Sequence, residues 1–163
     1  MIAVRPTGGE WKIMTRSAVG NGVPNFLNIT VTAGAANSGG YGLAIMSITP
    51  DKTTVTQNER FNVTSRTRNV SQDTFPNGQM GAALVDNNGN IVSVIGSVSF
   101  NALNSGNTWT RTISNCAVPN TVRPGQYRLM IVVRPGNNND NNQWRLATLS
   151  YQGAETSINF TVR

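Results

Sequence analysis

The sequence contains no histidine, and its 163 residues include a single cysteine, Cys116. Histidine is the commonest general base in enzymes and the commonest ligand of transition metals, so its absence removes the usual basis of both chemistries. A lone cysteine forms no disulfide within the chain, and its ordinary role is that of a small buried apolar residue. Without histidine, no imidazole can activate a serine or threonine as a nucleophile. No two carboxylates stand at a spacing suited to paired acid–base catalysis. We therefore expect neither enzyme activity nor a bound cofactor.

Charged residues are scarce, at 12% of the chain, although thirteen basic residues against seven acidic ones give a net charge of +6. Such an excess favours anionic partners such as nucleic acids. However, no run of Lys or Arg occurs, and the densest basic feature is Arg66 and Arg68 on one face of a predicted strand, with Arg60 near its start. This pattern is not the continuous stripe that neutralises a nucleic-acid backbone, so we expect no nucleic-acid partner.

Long apolar stretches are also missing, and no charged-then-apolar leader precedes the first predicted strand. Asn, Thr, Ser and Gly are abundant while Lys is rare, a composition typical of extracellular bacterial β-modules. We therefore expect a secreted or cell-surface location and no membrane span.

Helix signals are nearly absent as well. Thr, Val, Ile and aromatic residues alternate with polar ones in short runs, and Gly, Pro, Asn and Asp separate the runs about every ten residues, which is typical of an all-β sandwich. The predicted strands are LAIMSITP, residues 60–70, QMGAALVD, IVSVIGSVSF, WTRTISNCAV, QYRLMIVVR, WRLATLS and SINFTVR, with a short piece at 53–56 that continues the first strand on the other sheet. Asn88 and Gly89 both tolerate positive φ, and they predict a tight hairpin between QMGAALVD and IVSVIGSVSF.

The two ends of the chain resemble each other. MIAVRP at the start recurs as MIVVRP from Met130, WKI at Trp11 recurs as WRL at Trp144, and LNITV at Leu27 recurs as INFTV at Ile158. Two copies of one structural unit with loops of different length explain this match.

The match predicts a division of the chain into three parts. Residues 1–33 are expected to be the terminal strands of an incomplete preceding sister module, residues 34–42 a Gly-rich linker, and residues 43–163 a complete module. Within the first part we expect residues 2–6 to pair with 10–15, followed by a third strand at 26–32. A piece of two or three strands exposes unpaired edges, so a strand-mediated dimer through residues 1–33 is one possible outcome.

A turn at Pro124-Gly125 precedes Tyr127, near the start of the penultimate sandwich strand. A tyrosine in this place buries its ring and returns its hydroxyl to a backbone group at the sheet corner. We favour this structural role for Tyr127, and a tyrosine facing a ligand is the alternative.

The run from PGQYR at Pro124 through WRL at Trp144 to INFTV at Ile158 resembles the immunoglobulin-like modules appended to secreted bacterial proteins. It is most similar to those that follow the catalytic domain of streptopain-type cysteine peptidases of gut Bacteroidetes. The resemblance implies an immunoglobulin-like antiparallel β-sandwich with an accessory or spacer role, whose partners are neighbouring domains of the same polypeptide. No catalytic residue carries over from it.

Three tryptophans offer an alternative function, because exposed indole rings stack on sugars. Trp11 and Trp144 occupy the same repeat position, which favours packing over sugar binding. The candidate ligand-facing residues are Trp109, Trp144, Arg66 and Arg68, and the partner would be a protein or a glycan. The alternative functions are therefore a carbohydrate-binding module and an adhesin or surface-assembly subunit.

The loop at 137–142 holds one carboxylate, Asp140, which favours a solvated hairpin over a calcium site.

Overall fold

The computed structural model describes residues 2–4, 12–15, 25–27, 42–136 and 143–163. The chain divides into two compact units, Met1–Ala36 and Asn37–Arg163. All regular elements among the described residues are β-strands, so the predicted all-β class is confirmed.

The first unit contains a three-stranded antiparallel sheet in the order β1-β2-β3. Its strands are β1 (Ile2–Val4), β2 (Lys12–Thr15) and β3 (Asn25–Leu27). β1 pairs with β2, and β2 pairs with β3. The described parts of the predicted hairpin and third strand pair as expected, whereas residues 5–6, 10–11 and 28–32 of that prediction lie outside the described residues.

The second unit is an immunoglobulin-like sandwich of two sheets. Its strands are β4 (Leu43–Pro50), β5 (Thr54–Val55), β6 (Arg60–Asn69), β7 (Gly78–Val85), β8 (Ile91–Phe100), β9 (Thr108–Ala117), β10 (Gly125–Pro135), β11 (Arg145–Leu146), β12 (Leu149–Ser150) and β13 (Ser157–Val162). The four-stranded sheet has the order β12-β4-β6-β9. The six-stranded sheet has the order β5-β13-β10-β7-β8, with β11 also paired to β10.

The first strand of the sandwich changes sheets, as the sequence predicted. β4 pairs with β6 in one sheet, whereas β5 pairs in parallel with β13 in the other. Pro50 and Asp51 lie at the point of the change, where proline ends the ladder and the aspartate begins a turn.

The segment WRLATLS was predicted as one strand, and the structure corrects this. β11 pairs with β10 in the six-stranded sheet, and β12 pairs in parallel with β4 in the four-stranded sheet. Ala147, between the two strands, is buried, and its N–H donates to the carbonyl of Ile131 at 2.9 Å. The chain therefore crosses from one sheet to the other within this segment.

The core lies between the two sheets and follows the period of two along each strand. On β6 the side chains at 61, 63, 65, 67 and 69 are buried, and those between them point to the outer face. Phe61 stacks on Phe160 from the opposite sheet, with ring centroids 5.2 Å apart. Burial of each large apolar side chain, such as Phe61 or Val63, stabilises the fold by about 1.5–3 kcal/mol, so the apolar inward positions hold the two sheets together.

The hairpin between β7 and β8 is present, although its geometry differs from the prediction. Gly89 has a φ of 86°, whereas Asn88 does not have positive φ. The N–H of Gly89 donates to the carbonyl of Asp86, and the Asp86 carboxylate accepts from the N–H groups of Asn88 and Asn90. The hairpin loop is therefore longer than the expected two-residue turn, and it consists of an ordinary turn followed by Gly89 in the left-handed region. These hydrogen bonds, led by that from the Asn90 N–H, lower the pKa of Asp86.

Candidate functional site

The outer face of the four-stranded sheet presents two arginines amid hydroxyl groups. We call the outward residues of its three long strands the arginine face. They form three rows across β4, β6 and β9: Ala44–Arg68–Thr108, Ser47–Arg66–Thr110 and Thr49–Thr64–Thr112. The alternation of β6 places both arginines outward, because Ser65 and Thr67 beside them point into the sandwich.

Arg68 is held in place by an aromatic ring. Its guanidinium lies 5.2 Å from the centre of the Tyr151 ring, which is a cation–π distance. The N–H of Tyr151 donates to the carbonyl of Ile45 at 2.8 Å, so the chain segment that carries this ring is fixed to β4. Arg68 is therefore half-buried and oriented, whereas Arg66 beside it is exposed.

Neither arginine has a carboxylate partner on the part of the chain that the structure describes. Lys52 and Glu59 form an ion pair at 2.7 Å. Asp51 lies beyond the threonine row of the arginine face. Its carboxylate accepts from the N–H and from Nδ2 of Asn62, at 2.9 and 3.0 Å. The positive charge of the two arginines is thus not offset by an ion pair.

Hydroxyl groups make up most of the rest of the arginine face, which also includes the buried Ala44, and the hydroxyl of Thr108 donates to Sδ of Met46 at 3.8 Å. The Oγ1 atoms of Thr64 and Thr112 lie 3.0 Å apart, so one donates to the other. Thr110, Thr112 and Thr49 are exposed, as is Ser47. The face therefore offers two guanidinium groups and a set of exposed hydroxyls on one sheet surface.

Trp109 does not belong to any such surface. It is 9% exposed and lies in the core, with its ring 4.5 Å from that of Phe100 and 6.2 Å from that of Phe75. Its ring is enclosed by the protein's own aromatic residues. Trp109 is therefore not a ligand-facing residue.

Trp144 lies on the outer face of the six-stranded sheet, on the opposite side of the sandwich from Arg66 and Arg68. The guanidinium of Arg134 stands 4.7 Å from the centre of its ring. Nη2 of Arg134 also donates to Oε1 of Gln79, the cross-strand neighbour of Arg134 on β7. The four candidate ligand-facing residues are thus not brought together, and Arg66 and Arg68 are the two that share a surface.

Tyr127 has the structural role that the sequence predicted. Its hydroxyl donates to the carbonyl of Arg123 at 2.8 Å, and its half-buried ring packs against the core. Gly125 opens β10 beside it and pairs with Val162. This arrangement is the tyrosine corner that fixes the entry of a sandwich strand.

Cys116 is fully buried, and its Sγ lies 3.4 Å from the carbonyl of Ile113. Burial raises the pKa of its thiol to about 11, so the thiol form dominates at neutral pH. Within the described ranges no group of three or more His, Cys, Asp and Glu side chains could hold a metal ion. The loop with Asp140 lies outside those ranges.

Asn69 is a residue whose importance the sequence analysis missed. It is 0% exposed, and Nδ2 donates to the carbonyls of Asp73 and Leu103, while Oδ1 accepts from the N–H and the hydroxyl of Ser71. It ties the end of β6 to two loops. The sequence signal that could have identified it is its inward position on a predicted strand, because a buried asparagine side chain needs hydrogen-bond partners.

Comparisons with known proteins show no family for the chain. No family model matches the chain, and no curated protein matches it. One similar solved structure is the CARDB domain of PF1109 from Pyrococcus furiosus, solved in complex with di-metal ions. Its identity to this chain is 17% and the TM-score is 0.40, and the match covers 74% of this chain and 87% of that one. A cell surface protein domain from Methanosarcina acetivorans has 14% identity and a TM-score of 0.38, with coverage of 73% and 89%.

A third similar structure is the alkylpurine DNA glycosylase AlkC from Pseudomonas fluorescens, bound to DNA containing an abasic site analog. Its identity is 14% and its TM-score is 0.43, with coverage of 75% of this chain. The chain spans 30% of the length of that glycosylase chain. All three identities are below 25% and all three TM-scores are below 0.5, so no property of these proteins is carried over to this chain. Separately, no helix among the described residues is long and apolar enough to cross a bilayer.

Proposed function

We propose that the chain is a non-catalytic accessory module of an exported multidomain bacterial protein, one that spaces neighbouring domains and interacts with a partner at the cell surface. A secreted protein such as a streptopain-type peptidase is the parent that the sequence resemblance favours. The partners are then the adjoining domains of the same polypeptide and, through exposed faces, a protein or a glycan.

The observation that carries this proposal is a shared register in two hairpins. In β1–β2, Ala3 pairs with Ile13 and Val4 with Lys12. In β10–β11, the aligned residues pair in the same way: Val132 with Leu146, and Val133 with Arg145. A one-residue slip would reverse the face of every side chain, so an identical register supports two copies of one structural unit.

The third strand of each copy pairs differently. β3 pairs with β2, whereas its counterpart β13 pairs with residues 125–130 of β10. In a protein with serial copies of one sandwich, each unit contributes length and exposed faces.

Surface labelling tests the proposal. Antibodies raised against the folded chain are applied to intact and to permeabilised cells of the producing organism. We expect intact cells to be labelled as strongly as permeabilised cells, or the antigen to be found in the medium. Antigen detected only after permeabilisation would contradict an exported module.

A further inference from the structure

We propose that the arginine face binds an acidic polysaccharide, with Arg66 and Arg68 holding carboxylate groups of the glycan and the neighbouring hydroxyls contacting its sugar rings. This inference rests on the proposed role as a surface interaction module, and it names the ligand class and the site.

Charge is the first argument. Among the described residues, none of the three rows of the arginine face contains a carboxylate, and Asp51 beyond them is engaged by Asn62. A guanidinium binds a carboxylate through two parallel hydrogen bonds, which is stronger and more directional than contact with an ammonium. Two such groups without ion pairs on one surface are complementary to an anionic ligand.

Spacing is the second argument. Arg66 and Arg68 are alternate residues of one strand and point to the same side, so their Cα atoms are about 6.4–6.8 Å apart. Tyr151 orients Arg68, which lowers the entropy lost when that side chain binds. The pair therefore suits a chain that carries charges at intervals, rather than a single small anion.

The hydroxyl groups favour a glycan over other polyanions. Ser47 and Thr110 flank Arg66, and exposed Thr112 lies in the next row. Hydroxyls both donate and accept, which matches the dense hydroxyls of a sugar ring. A nucleic-acid strand would favour a longer basic track with several aromatic stacking platforms, and Tyr151, the aromatic beside this pair, is already stacked on Arg68.

The test uses the full chain and polygalacturonate as the probe, with binding measured by calorimetry at low salt. Dextran serves as the neutral glycan, and poly-glutamate and single-stranded DNA serve as polyanions of other classes. We expect binding to polygalacturonate that weakens as salt is added, no binding to dextran, and at least about tenfold weaker binding to the other two polyanions.

Two double variants with equal loss of charge test the site. Arg66→Gln/Arg68→Gln should weaken polygalacturonate binding by at least about tenfold, because two charge-assisted contacts are removed. The matched control is Arg128→Gln/Arg163→Gln, which removes an exposed arginine of β10 and the exposed arginine that follows β13. It should change the affinity by less than about twofold. Circular dichroism and thermal unfolding confirm that both variants are folded.

Three results would overturn the inference: no binding of polygalacturonate, equal weakening by both double variants, or tighter binding of DNA or poly-glutamate. A chain that labels at the cell surface and binds no polygalacturonate refutes the glycan site while the accessory role stands. A chain that binds polygalacturonate through Arg66 and Arg68 yet stays inside the cell refutes the exported role instead.

Discussion

The guanidinium of Arg134 lies over the ring of Trp144, 4.7 Å from its centre. The same guanidinium donates to Gln79 on the adjacent strand, so it connects the β10–β11 hairpin to β7. One face of the Trp144 ring is thus occupied by the protein's own cation. Because its ring packs against Arg134, Trp144 can have a structural role although it lies outside the core.

The stack between Arg134 and Trp144 should be measurable as a coupling energy. In a double-mutant cycle with Arg134→Ala and Trp144→Ala, urea unfolding should give a coupling of about 0.5–1 kcal/mol, the usual range for a partly exposed cation–π pair. Arg128→Ala combined with Trp144→Ala is the control, because Arg128 belongs to the part of β10 that pairs with β13. Equal coupling in both cycles would argue against the stack.

Asn69 should be among the most sensitive polar positions of the sandwich. Asn69→Ala removes the two hydrogen bonds that Nδ2 donates to the carbonyls of Asp73 and Leu103 and the two that Oδ1 accepts from Ser71, and we expect a loss of roughly 3 kcal/mol in the free energy of unfolding. Asn159→Ala, at an exposed position of β13, should change it by less than about 0.5 kcal/mol. Denaturant titration compares the two, and similar losses would show that Asn69 is not a structural hub.

Gly96 marks a close approach between the two sheets. A Cβ at this position would lie 2.8 Å from Sγ of Cys116 and 3.1 Å from Cγ2 of Ile113. Gly96→Ala should therefore destabilise the sandwich by about 1–3 kcal/mol. The cost should be smaller in a Cys116→Ala background, because the nearest atom is gone. Thermal unfolding of the four proteins decides this, and strict additivity would contradict the proposed clash.

Glu59 should make stability depend on pH under acidic conditions. The ammonium of Lys52 donates to its carboxylate, as does the N–H of Thr56, and these bonds lower the pKa of Glu59 from 4.5 to about 2. Because the folded pKa is the lower one, this stabilisation is complete above about pH 4.5 and is lost as the pH falls towards 2.

Glu59→Gln should therefore weaken the dependence of Tm on pH between about 2 and 4.5. Glu155→Gln, which replaces an exposed carboxylate of the loop before β13, is the control and should leave the profile unchanged. Tm followed by circular dichroism across this range measures the difference. Identical profiles for Glu59→Gln and the parent would show that the lowered pKa does not contribute to stability.

Much of the fold could be predicted because strand alternation and turn residues are local signals. β4 and β8 have the bounds expected from LAIMSITP and IVSVIGSVSF, since Pro50 ends the first and the Gly89 turn precedes the second. The division of WRLATLS between two sheets was not predictable, because a segment this short has the same alternation whichever sheet it joins.

The candidate site was only partly predictable because burial depends on distant partners. Trp109 and Trp144 occupy similar contexts in the sequence, yet Phe75 and Phe100 enclose the first while Arg134 covers one face of the second. Arg66 and Arg68 could be placed on one outer face from alternation alone. Their neighbours on that face, which carry hydroxyls rather than carboxylates, could be identified only from the structure. These neighbours depend on the register of β4 and β9 against β6.

The central claim is that one hairpin is built twice in the same register. Cross-strand nuclear Overhauser effects between backbone protons of the full chain test it most directly. We expect contacts that pair Val4 with Lys12 and Ala3 with Ile13, matching those that pair Val133 with Arg145 and Val132 with Leu146. A register in the first hairpin shifted by one residue, so that Val4 faces Ile13, would contradict the claim.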